Sequence, residues 1–197
     1  DIPNEFTEFR NLTIIKLFCG SGIRSEELIG LDMKDVFLQE ESPYIMVWGK
    51  GNKEVQDRVP LSYEATDYLT EYFEYRKLFI EEKKEQNKSI DETPVFISNK
   101  GERISKGAID DFFKRYSNDM ITPHMLRHWC GSHLYEDTKN IKLVQRVLRH
   151  KNIAVTAENY VHVSDDEVDS AVKMLRTDRQ NVGQCNQSNQ QQFTGLM

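Results

Sequence analysis

TPHMLRHWCGSH, residues 122–133, places His124, Arg127, His128 and His133 close together in a chain with only five histidines. Thr122 followed by Pro123 reads as an N-cap with proline at the first helical position, so the spacing predicts that His124 opens a helix running to about Tyr135. His124 and Arg127 then share the mouth and one face of that helix. Such a cluster can bind a metal, grip a phosphate, or simply sit on a wet surface. A zinc pair at His124 and His128 has workable spacing, but HMLRH lacks the glutamate of an HExxH site and puts the fixed cation Arg127 inside the ligand shell.

Outward from this stretch, the 197 residues suffice for one domain with a sizeable core. No apolar run approaches the roughly 18 residues of a membrane span. The amino terminus is acidic and polar, unlike an export signal. Cys19, Cys130 and Cys185 are odd in number and form no CxxC pair, which predicts reduced thiols and a cytoplasmic setting. The net charge of −6 argues against a nucleic-acid partner, yet KNIKLVQRVLRHK (139–151) is strongly basic, so a local basic face remains open.

Apolar residues from Phe6 to Phe18 predict an amphipathic helix ended by GSG (20–22), with Ser25 as the N-cap of a second helix. YIMVW (44–48) and EVQDRVPL (54–61) flank GKGNK and read as a hairpin with Lys50 and Lys53 at its tip. Ser62 caps a long helix to about Lys84, PVFIS (94–98) reads as a further short strand, and the chain beyond Ser105 reads as helical. Ile141–Leu148 predicts a basic helix with Leu143, Val144, Val147 and Leu148 buried; Trp129, Leu126 and Leu134 read as core. Another helix carries Tyr160, and Ser164 with Glu167 predicts a capping box for a last helix through Leu175. Residues 177–197 form an Asn- and Gln-rich tail expected to be disordered.

Six short elements occur in a fixed order: Arg24 in GSGIRSEELIGL, Lys50 in GKGNK followed by VPL, His124 and Arg127 in HMLRH, His150 in VLRHKN, and Tyr160 in ENYVHV. From about Leu12 to Val163 they resemble the catalytic domain of the tyrosine recombinases, the phage-integrase family. The resemblance implies an α+β, mainly α-helical domain over residues 1–176 with a small three-stranded antiparallel sheet. It implies double-stranded DNA as partner, a homotetramer on two paired sites, a monomer or weak oligomer without DNA, and no membrane, metal or other cofactor. The family's amino-terminal DNA-clamping domain is expected to be absent, which predicts weak DNA affinity, and residues 164–176 correspond to a segment that members pass to a neighbouring protomer.

The implied reaction is site-specific cutting and rejoining of DNA through a 3′-phosphotyrosine, serving integration or excision of a mobile element. Two arginine forks can grip the nonbridging oxygens of one phosphodiester at any working pH, so Arg24 and Arg127 take the place of a metal pair. Tyr160 is then the nucleophile, His124 its proton acceptor, His150 a donor to the phosphate, and Lys50 the acid for the leaving 5′ oxygen. Glu27 orients Arg24. Lys53, Arg149 and Lys151 are expected on the DNA backbone; Arg149 stands where the family has glycine in L-G-H, and it either adds a phosphate contact or crowds the site. His128 is expected in a supporting or packing role, and His133 and His162 as bystanders. The alternatives are a topoisomerase IB-like enzyme, an inactive DNA-binding protein on the same fold, and a metal-dependent hydrolase using His124 and His128.

Overall fold

The computed structural model describes residues 2–49, 55–118, 120–150 and 172–173. The chain divides into a unit of residues 1–161 and a second of residues 162–197, in which only the helical Val172 and Lys173 are described. Among the described residues no helix is long and apolar enough to cross a membrane. The expected helices around Tyr160 and after Ser164, and the tail, lie outside the described residues.

The first unit is α+β and mainly helical. Its elements are α1 (Ile2–Ser21), α2 (Ser25–Ile29), a 3-10 turn (Met33–Asp35), β1 (Val36–Phe37), β2 (Tyr44–Trp48), β3 (Gln56–Pro60), α3 (Tyr63–Glu85), α4 (Lys106–Ser117), α5 (Pro123–Thr138) and α6 (Ile141–Leu148). The side-chain caps fall where short-range chemistry put them. Ser62 accepts from the Ala65 N–H, Thr122 from Met125 and Asn140 from Leu143. At α2 the N-cap is Arg24, not Ser25, and the Glu27 carboxylate reaches back to the Arg24 N–H at 2.9 Å.

The core lies between α1 and α3. Phe6 is fully buried and stacks on Phe79 at 4.1 Å and on Tyr72 at 5.9 Å, each such pair adding about 0.5–1.5 kcal/mol beyond its burial. The sheet is antiparallel in the order β1-β2-β3, with Ile45 opposite both Val36 and Val59. Its third strand is therefore β1, held partly by the stacked rings of Phe37 and Tyr44, and not 94–98 as the apolar run suggested.

Val95, Phe96 and Ile97 are buried, but 94–98 makes only isolated bridges at Pro94 and Ile97. Its backbone is bonded piecemeal, with the Val95 N–H donating to the Leu31 carbonyl and the Ile104 N–H to the Phe96 carbonyl, and three of its carbonyls accept from side chains. Tyr72 Oη donates to the Val95 carbonyl, Arg76 to that of Pro94 and Arg10 to that of Ile97, which satisfies groups that a ladder would use.

Two further expectations change. Trp129 is 48% exposed and lies against the His133 ring, because Arg127 and Gly131 take the inward face of α5 and a residue two positions from each points away. Leu143 is likewise exposed, while Val144 and Leu148 are fully buried against Leu134, Tyr135 and Ile141.

Candidate active site

Gly22 ends α1 with a left-handed backbone (φ +60), and its N–H bonds back to the Phe18 carbonyl. A Cβ there would meet Leu148 Cδ2 at 2.6 Å, so glycine is what lets α6 approach. That approach builds the site. The last carbonyls of a helix lack partners within it and carry the negative end of the helix dipole. Arg127, only 5% exposed, donates from one guanidinium nitrogen to the Gly22 carbonyl and from the other to the Leu148 carbonyl. Arg24 Nη2 donates to the carbonyls of Leu148 (3.4 Å) and Arg149 (3.0 Å). Both guanidiniums are thus anchored on one helix end.

Arg24 Nη1 also meets Glu27 Oε1 at 2.6 Å. These bonds use at most three of its five N–H groups, and its side chain is 33% exposed, so donors remain for an anion. Glu27, 3% exposed, takes the Arg24 side chain on one oxygen and the Arg24 N–H on the other. A cleft of about 350 Å³ brings together Arg24, Ser25, His124, Arg127 and His150, with the start of α5 on its wall. The positive end of that helix is a further attraction for a phosphate.

His124 Nε2 and His128 Nε2 are 2.8 Å apart, so one ring holds the proton that the other accepts. His128 is therefore coupled to His124, and its pKa is lowered by burial first, then by His124 and Arg127. The i, i+4 spacing was the signal for the contact between the two rings.

Burial first, then Arg127, Arg24, His128 and His124, bring the pKa of His150 down to about 4. A neutral imidazole carries one N–H, a donor of the kind a phosphate oxygen accepts. Because the folded value lies below the ordinary 6.5, the contribution of His150 to folding stability is complete above about pH 6.5 and is lost as the pH falls through about 4. An NMR titration is expected to find the His150 ring titrating near 4, well below the ordinary 6.5, and to shift upward when a DNA duplex brings a phosphate into the cleft. A free-protein value near 6.5 would contradict this cation cluster.

Arg149, expected on the DNA backbone, makes its ion-pair contacts inside the protein. It caps α6 in the left-handed region (φ +53), the conformation glycine adopts most cheaply and other residues at a cost of about 1 kcal/mol. The glycine that the family resemblance leads one to expect here is a helix-stop glycine. The guanidinium is 11% exposed and turns inward to Glu27 Oε2, not to solvent. Sequence spacing gave no signal for this contact, nor for the Gly22 and Leu148 carbonyls that hold Arg127. Lys50, Lys53, Lys151 and Tyr160 lie outside the described residues.

The chain is similar to known proteins over most of its length. The chain is 37% identical over 170 residues to tyrosine recombinase XerC of Thermodesulfovibrio yellowstonii, covering 83% of this chain and 54% of that protein. It is 33% identical over 166 residues to tyrosine recombinase XerD of Staphylococcus epidermidis (strain RP62A), covering 81% and 52%. It spans about half the length of these relatives. A crystal structure of the XerH site-specific recombinase bound to difH substrate shares the fold with a TM-score of 0.66 at 23% identity, over 88% of this chain and 51% of that one. The family model described as the phage integrase family matches residues 1–167, and the chain belongs to that family.

Proposed function

We propose that this chain carries the catalytic site of a site-specific DNA recombinase that cuts and rejoins double-stranded DNA through a 3′-phosphotyrosine. The observation that carries the reading is the anchoring of two guanidiniums, Arg24 and Arg127, on the Leu148 carbonyl at one cleft shared with His124 and His150. That is a preorganised set of donors for the charge that builds on the equatorial oxygens of a phosphodiester in its transition state. The names of the XerC and XerD relatives and the DNA complex of XerH support the same substrate.

In this mechanism the Tyr160 hydroxyl attacks phosphorus, His124 takes the phenolic proton, and the bond from phosphorus to the 5′ oxygen breaks as Lys50 protonates that oxygen. Arg24, Arg127 and neutral His150 hold the phosphate. One ester bond replaces another, so a new 5′ hydroxyl reverses the step at nearly no net free-energy cost, without ATP or metal. Lys53 and Lys151 are proposed backbone contacts, and a tetramer on two paired sites the working assembly. The use of this exchange to integrate or excise a mobile element is supported by the sequence resemblance alone.

On a duplex nicked just past the cleavage site, the 5′-hydroxyl fragment diffuses away and traps the intermediate. A covalent protein–DNA adduct is expected in EDTA at the same rate as without it. An adduct that disappears with chelation would overturn the metal-free mechanism.

A further inference from the structure

Arginine at a left-handed helix stop is a costly choice, and an outlier of this kind that persists points to a use for the side chain. Arg149 Nη2 donates to Glu27 Oε2, Nη1 to the Val147 carbonyl at 3.3 Å, and its own carbonyl accepts from Arg24 at 3.0 Å. Its Nε is buried without a hydrogen bond, 4.0 Å from Asp57 Oδ2 on β3. Glu27 and Arg149 are 122 residues apart in the chain, so this ion pair joins α2 to the end of α6.

Charge counting shows what the side chain adds. With glycine at 149, Arg24, Glu27 and Asp57 would sum to one negative charge. Arg149, paired with both carboxylates, brings the cluster to neutrality, one unit more positive, and Glu27 draws less of Arg24's field away from an anion. Resting on the strand-transfer reading above, we propose that Arg149 is a positioning residue. It takes one oxygen of Glu27, locks Arg24 against the α6 carbonyls, and raises the positive field on the phosphate without touching the DNA. Asp57 extends the same ion cluster to the β2–β3 hairpin.

The test compares Arg149→Met, Arg149→Lys and Arg149→Gly in the full chain, reading single-turnover adduct formation at saturating nicked duplex, duplex affinity with its salt dependence, and thermal midpoint. Met and Lys both keep a side chain on the left-handed backbone and differ in charge. Arg149→Met and Arg149→Gly are expected to slow the saturated rate about tenfold with affinity within about threefold of wild type, the size expected for one charge acting on a transition state. Arg149→Lys is expected to recover most of that rate. The proposal is overturned if Met and Gly variants react as fast as wild type, or if their loss follows thermal stability and Lys does not restore it. It is also overturned if affinity and salt slope fall while the saturated rate holds, since that marks a direct phosphate contact. Absence of an adduct with wild-type protein removes the strand-transfer reading itself, a result distinct from the others.

Discussion

Arg127→Lys is expected to slow adduct formation on a nicked duplex by about 10²- to 10³-fold, the loss that follows removal of a preorganised donor from a developing oxyanion. The charge survives in this variant, but the fork does not. Arg127 spans the carbonyls of Gly22 and Leu148, which lie at the ends of α1 and α6, and a lysine ammonium is a point charge that cannot hold both in one plane. The second carbonyl also anchors Arg24, so misplacing it disturbs both guanidiniums. Arg127→Ala is expected to do more: the buried Gly22 carbonyl loses its arginine donor and the Leu148 carbonyl keeps only the longer bond from Arg24, a loss of about 1–3 kcal/mol, and the thermal midpoint falls by several degrees or more. Single-turnover kinetics beside thermal melts separate the two effects. Wild-type rates in Arg127→Lys would remove Arg127 from the phosphate site.

How far the sequence could be read depended on range. Ser62, Thr122 and Asn140 cap helices through bonds spanning three residues, and each can be seen in a local window. Arg24, Glu27, His124, Arg127 and His150 are proposed from short motifs in a fixed order, and the fold brings all five to the end of α6 or to the cleft beside it. What stayed hidden was long-range or carried by the backbone. Arg149 reads as a surface cation beside a basic helix until its left-handed cap turns it onto Glu27. Residues 94–98 read as a strand because they form a short apolar run; only the structure shows Tyr72, Arg76 and Arg10 donating to its carbonyls. Trp129 reads as core by residue type, yet helix geometry sends it outward from the face that Arg127 occupies.

The largest effect is expected at Tyr160. Removal of one oxygen in Tyr160→Phe leaves the ring for packing and takes away the only atom that can form the phosphoester, so the covalent route closes completely instead of slowing. Duplex affinity is expected to hold, since Arg24, Arg127, His124 and His150 are untouched. The decisive measurement is therefore adduct formation on the nicked duplex in EDTA by wild type and Tyr160→Phe, with the trapped nucleotide mapped by mass spectrometry. Wild type should yield one peptide with a nucleotide phosphate on Tyr160 and the variant should yield no adduct; an adduct in the variant, or a phosphate mapped to any other residue, would contradict the central claim.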